Sequence, residues 1–128
     1  MARITAGIIC ILLGCSCSMQ RYTQTNLYFG RSIPGDTAMV NNTQWQQFVN
    51  DRVVPVFSRG FTIMESKGFW LDPVSKKMVT EPSNMVSCIS KMTPSLSARI
   101  DSICYWYKTL FKQQAVLRID EKVRAAFL

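Results

Sequence analysis

The sequence predicts an α+β domain of the ferredoxin-like type, βαββαβ, in which a four-stranded antiparallel sheet carries two helices on one face. Three observations lead there. Residues 57–89 hold two apolar, β-branched runs, Gly60-Phe61-Thr62-Ile63-Met64-Glu65 and Met85-Val86-Ser87-Cys88-Ile89, separated by glycine, proline and asparagine punctuation. That is the pattern of paired strands with a long decorated connection, here carrying Gly68-Phe69-Trp70, Pro73 and Glu81-Pro82-Ser83. A helical pattern precedes this hairpin and another follows it, while a strand-like alternation opens the domain and a second one closes it. Such an order closes most simply as a split pair of βαβ units.

The chain starts with the short basic segment Met1-Ala2-Arg3, followed by an apolar stretch over 4–13 that is too short to span a bilayer as a helix, and by Leu12-Leu13-Gly14-Cys15. This is the order of an export signal. Its end resembles a bacterial lipobox, in which the cysteine thiol is acylated and the peptide cut before it. Residues 1–14 are therefore expected to be a lipoprotein signal peptide, Cys15 the lipidated N-terminus, residues 15–25 a polar tether and residues 26–128 a single α+β domain. The competing readings are an ordinary cleaved signal or an uncleaved anchor, with Cys10, Cys15 and Cys17 as apolar filler, and Cys17 as a rival acylation position. The lipobox implies a cell-envelope lipoprotein that is membrane-anchored and faces the periplasm. Its partners would be the lipid bilayer, through the acyl chains, and a second copy or an envelope protein on the open sheet face.

Folding is expected to begin near Asn26, because Leu27-Tyr28-Phe29-Gly30-Arg31-Ser32-Ile33 alternates and carries aromatics before Pro34-Gly35-Asp36 turns the chain. Thr43 with Gln46 matches a capping box, and Trp45, Phe48, Val49 and Val53 share one helical face up to Pro55. Beyond the hairpin, Thr93 caps a helix with Pro94 at its first position, and Leu96, Ile100, Ile103, Tyr107 and Leu110 form the buried stripe. Ala115-Val116-Leu117-Arg118-Ile119-Asp120 alternates as the last strand.

These residues carry a resemblance. Leu27-Tyr28-Phe29-Gly30, Trp45-x-x-Phe48, Val54-Pro55-x-Phe57, Gly60-Phe61-Thr62-Ile63, Gly68-x-Trp70, Glu81-Pro82-Ser83 and Gln114-x-Val116-Leu117-Arg118 fall in an order and spacing similar to those of the bacterial domain-of-unknown-function family 3574, small exported proteins and lipoproteins. The resemblance implies an envelope address and this fold, and it supplies no catalytic residues. The chain departs from the family pattern at Ser58-Arg59, before Gly60, and near its end, where many relatives carry a cysteine.

The formal charge of +7 is spread along the chain, as solvated surface charge or as a patch for anionic lipid, glycan or nucleic acid. Histidine is absent, which removes the commonest general base and metal ligand. No Cys, Asp or Glu cluster has metal-ligand spacing, and no glycine loop resembles a phosphate cradle, so neither metal nor cofactor is expected. Cys88 and Cys104 fall mid-strand and mid-helix, too far apart for an unstrained disulfide, and are expected to be buried free thiols.

With Leu117 and Ile119 turned toward the helices, alternation sends Arg118 to the open face, where Tyr28, Trp70, Glu81 and Arg118 would converge on one polar and aromatic site. The competing structural reading makes Trp70 a cap on the core edge, Tyr28 a half-buried strand residue, and Glu81 with Arg118 a cross-strand pair. Three functions follow: a non-catalytic binding or structural module at a membrane, a small enzyme with Glu81 as acid or base and Arg118 as anion clamp, and a nucleic-acid binder. The third is set aside, because 85–89 lacks the aromatics of RNA-recognition modules and an export signal leads away from RNA.

Overall fold

The computed structural model describes residues 19–128. The expected signal over 1–14, Cys15 and its rival Cys17 lie outside the described residues. Strands β1 (Gln20–Gly30), β2 (Thr62–Leu71), β3 (Met78–Ser90) and β4 (Leu117–Ala125) form an antiparallel sheet in the order β2-β3-β1-β4. Helix α1 (Asn42–Phe48) runs on through a π-helical turn over Val49–Val53, and α2 (Pro94–Phe111) connects β3 to β4. This is the predicted ferredoxin-like α+β arrangement.

Hydrophobic burial holds the two layers together. Leu27, Phe29, Val86 and Cys88 on the sheet meet Trp45, Phe48, Val49, Val53, Ile100, Ile103 and Tyr107 on the helices. Aromatic rings dominate: Tyr107 lies 4.8 Å from Phe29, 5.0 Å from Phe48 and 4.9 Å from Phe111, centroid to centroid, in edge-on or tilted geometry. Leu110 is exposed, and Phe111 packs against the core at that end of α2 instead. The buried Tyr107 hydroxyl donates 2.7 Å to the Gly30 carbonyl, which fastens α2 to the end of β1.

Several boundaries differ from the sequence reading, each for an identifiable reason. Residues 20–25, assigned to a tether for their polarity, belong to β1. Thr23 and Thr25 face the helices and are almost fully buried, because neighbours on β4 satisfy them. Lys122 Nζ donates 3.0 Å to Thr23 Oγ1, and Thr25 Oγ1 donates 2.6 Å to Asp120 Oδ1. The capping box of α1 is formed by Asn41 and Gln44 rather than Thr43 and Gln46. Arg31 fixes that start: its Nε and Nη2 reach the Val40 carbonyl at 2.8 and 2.7 Å, and Nη2 also reaches Asn42 Oδ1 at 2.8 Å. The connection inside the hairpin is short, residues 72–77, so Gly68, Trp70 and Glu81 all lie within paired strands.

The largest correction concerns β4. Leu27, fully buried in the core, pairs with Arg118, and Tyr28 pairs with Leu117. Arg118 therefore faces the helices, and Leu117 and Ile119 face the open side, one residue out of phase with the expectation. Placing leucine inward presumed an apolar layer above β4. The first half of α2 instead offers Ser97 and Asp101 there, and these call for a cation.

Candidate functional site

The candidate site is built around Glu81, at the end of the open face where β1 stops and the β2–β3 ribbon runs on. It sits on β3 opposite Gly68 of β2, and its side chain leans across the sheet onto Gly30 of β1. A Cβ on Gly30 would stand 2.8 Å from Glu81 Oε1 and 3.0 Å from Oε2, and one on Gly68 would stand 3.6 Å from Glu81 Cγ. Two strand glycines thus leave a bare strip on which the carboxylate can lie, the close approach for which a glycine inside a strand is suited. Glu81 is half-buried, and among the described residues it has neither an ion-pair partner nor a side-chain hydrogen bond. Its charge is felt through the sheet: burial pushes the Tyr107 phenol well above its ordinary range, Arg31 opposes that shift, and Glu81 adds to it.

Trp70 pairs with Val79, so on the open face it stands diagonally beside Glu81, at a spacing that large side chains bridge. Its indole is about half exposed. Trp70 and Glu81 line a groove of about 490 Å³ with Ser32, Pro34, Gln113 and Gln114. Two turns bring the far wall into place. Gly35, at φ +77°, reverses the chain after β1 in a conformation that suits glycine. Lys112, at φ 53°, ends α2 in the left-handed region, so that Gln113 Nε2 donates 2.7 Å to the Ser32 carbonyl. The groove accordingly offers one unpaired carboxylate, one aromatic plane and several amide and hydroxyl groups.

Of the four residues expected to form one site, Tyr28, Trp70 and Glu81 lie on the open face, with Tyr28 one same-face position before Gly30 and outside the groove lining. Arg118 lies on the opposite face and is not part of the site. Its Nη1 donates to Asp101 Oδ1 at 2.7 Å and to the Ser97 carbonyl at 3.1 Å, its Nη2 to Ser97 Oγ at 3.0 Å, and its Nε to Asp120 Oδ2 at 2.9 Å. Burial works against the charge on Arg118, but the Asp120 and Asp101 carboxylates outweigh it and raise its pKa. Arg118 is thus the clasp between β4 and α2. Ser32, Gln113 and Gln114 escaped the sequence reading because they lie in connections, although Gly30 inside the first strand pattern is a signal of close approach.

Among the described residues no group of three or more Cys, Asp or Glu side chains is placed to hold a metal, and no described helix is long and apolar enough to cross a membrane. Cys88 is buried and Cys104 half-buried, and both are free thiols.

Fold and groove together define a small ferredoxin-like α+β protein with an acidic, aromatic-walled cleft on its open sheet face. The chain belongs to the family described as "Protein of unknown function (DUF3574)", which matches residues 24–127. Among curated proteins none matches it. Two solved structures share the fold. A phage SAM lyase in complex with S-methyl-5'-thioadenosine is 15% identical, with a TM-score of 0.58 over 81% of this chain and 90% of that one. A phage SAM lyase in the apo state is 14% identical, with a TM-score of 0.56 over 84% and 93%.

Proposed function

We propose that this protein is a ligand-binding module, held at a membrane through acylated Cys15, whose open-face groove takes a small ligand bearing a positive charge next to an aromatic or heteroaromatic ring. The unpaired Glu81 carboxylate, lying on Gly30 beside Trp70, carries this reading. A half-buried carboxylate without a partner is costly, and a cationic ligand would offset that cost. The indole face adds cation–π attraction and a stacking surface. An anionic ligand is disfavoured, because Glu81 is the one charged residue among the described residues that line the groove, and Arg118 lies on the opposite face of the sheet. The phage lyase lends support to the ligand class, since its bound S-methyl-5'-thioadenosine is a heteroaromatic nucleoside and SAM adds a sulfonium charge. Anchoring rests on the basic start, the apolar stretch and the order Leu12-Leu13-Gly14-Cys15.

Calorimetric titration with SAM and with S-methyl-5'-thioadenosine tests the site. SAM should bind more tightly, Glu81→Gln should weaken SAM by about tenfold and so remove that preference while sparing the neutral nucleoside, and Arg118→Ala should leave affinity unchanged. Gly30→Ala should displace the Glu81 side chain and weaken SAM with little loss of stability. Equal binding of SAM to wild type and Glu81→Gln would remove the proposal. For the anchor, Cys15→Ser should lose the lipid mass and membrane retention. An enzymatic reading with Glu81 as acid or base, and without Arg118, is favoured only by the likeness to the phage lyase fold, and it predicts turnover of SAM that Glu81→Gln abolishes.

A further inference from the structure

Two further grooves lie at the end of the sheet remote from Glu81, where β1 begins and β4 ends. Arg59 and Lys91 line one, of about 480 Å³; Arg21, Lys91, Lys122 and Arg124 line the other, of about 500 Å³; neither is lined by a carboxylate. The antiparallel register sets Arg21 directly opposite Arg124, and like charges so placed destabilise a sheet. All five cations are exposed, and none has an ion-pair partner among the described residues. Lys122 donates to Thr23, and Lys91 lies 5.9 Å from the Tyr22 ring, contacts that orient the two side chains without neutralising them. Exposed apolar groups stand beside this charge: Met19 immediately before β1, and Phe127, 73% exposed, whose ring meets Tyr22 edge-on at 5.7 Å.

We infer that Arg21, Arg59, Lys91, Lys122 and Arg124 form a docking surface for the anionic headgroups of a lipid bilayer. Unpaired cations interleaved with exposed apolar side chains are the chemistry of an interfacial contact, in which phosphates meet the charges and the apolar groups enter the headgroup layer. Chain geometry points to the same occupant, and this clause rests on the anchoring proposed above. Three residues separate Cys15 from Met19, and the four Cα steps between them span at most about 14 Å when extended, so an acylated Cys15 would hold this end of the sheet against the bilayer. The surface then supplies the second attachment signal and fixes which way the domain faces, with the Glu81 groove turned away from the membrane.

Residues 19–128 contain the whole sheet, both helices and their shared core, so this segment folds as a unit and separates the surface from the acyl chains. It should associate with vesicles of phosphatidylcholine containing about 30% phosphatidylglycerol and not with phosphatidylcholine alone, and added salt should release it. Each cation removed should weaken association by up to about fivefold, so Lys91→Glu with Arg124→Glu should weaken it by more than about tenfold. Arg21→Glu should also weaken association while raising the melting temperature, because it gives Arg124 a partner; opposite movements of the two readouts exclude unfolding as the cause. Reversing Lys76 and Lys77, in the connection at the other end of the sheet, should change association by less than about twofold, since charge far from the surface is screened. Equal association with neutral vesicles would overturn the inference, as would an equal loss in the Lys76 and Lys77 control. Tighter binding to a single-stranded oligonucleotide, lost in the same variants, would assign the surface to nucleic acid instead. Failure of Cys15 acylation would appear in the mass of the full chain and leaves the vesicle result standing.

Discussion

Replacing Arg118 with alanine measures what fastens β4 to α2. The guanidinium side chain is 17% exposed and bonds two carboxylates and one serine. Asp101 is 70% exposed, so its contribution is at most about 0.5 kcal/mol. Asp120 is 36% exposed and is also held by Thr25, which places its bond to Arg118 near 1 kcal/mol after discounting for solvent. Ser97 adds two shielded acceptors, of which the carbonyl has a helical partner to fall back on, for about 0.5 to 1 kcal/mol. The loss should therefore be about 2 kcal/mol, or roughly 8 °C in melting temperature for a domain of this size. Urea unfolding followed by tryptophan fluorescence should show a lower midpoint at an unchanged slope. The double variant Arg118→Ala with Asp120→Ala should lose less than the sum of the single ones, with a coupling near 1 kcal/mol. A loss below about 0.5 kcal/mol, or strict additivity, would refute the clasp. Intact stability with lost ligand binding would return Arg118 to a binding role.

Burial tends to raise the Asp120 pKa, but the Thr25 hydroxyl and the Arg118 guanidinium outweigh it and hold the group below its ordinary 3.8. A depressed carboxyl pKa contributes stability that is full above the unfolded value and disappears as pH falls through the folded one, so wild type should weaken below about pH 4 and Asp120→Asn should show a shallower acid limb in pH-dependent melts. Phe48→Ala should cost about 3 to 5 kcal/mol and Ile100→Ala about 2 to 5 kcal/mol in denaturant titrations, because both lie in the shared core. Burial raises the pKa of both Cys88 and Cys104, so a thiol-alkylating reagent should label the native protein at least about tenfold more slowly than the unfolded chain, as read by mass.

Element order, both helices and most of the core were legible because Trp45, Phe48, Ile100, Ile103 and Tyr107 repeat at helical spacing and no polar residue interrupts their stripe. The site was legible only in part. Tyr28 is legible on the open face because β1 buries Leu27 and Phe29, which fixes its phase, and Glu81 because it lies near the start of β3, whereas β4 offers Leu117 and Ile119 on one side and Arg118 and Asp120 on the other. Choosing between these phases needed knowledge of what α2 presents, and Ser97 and Asp101 become visible as partners only once the helix is in place. The polar start of β1 was missed for a related reason: Thr23 and Thr25 are buried through hydrogen bonds to a strand nearly a hundred residues away.

The register of β3 against β1 stops at Gly30 opposite Ser83, so beyond Pro82 the hairpin runs on as a ribbon of two strands alone, with Gly68 to Leu71 paired to Met78 to Glu81. A lone ribbon has little stability of its own. Amide protons there should exchange with solvent well before those of residues 83–87, which are paired on both sides. Trp70, on the ribbon, faces Ser32 and Gln113, on the anchored side of the groove. Any molecule spanning the two must quiet the ribbon as it binds. Slowed deuterium uptake at 68–71 would therefore report an occupant before its chemical identity is known, and would allow unfractionated small-molecule extracts to be screened against the intact protein.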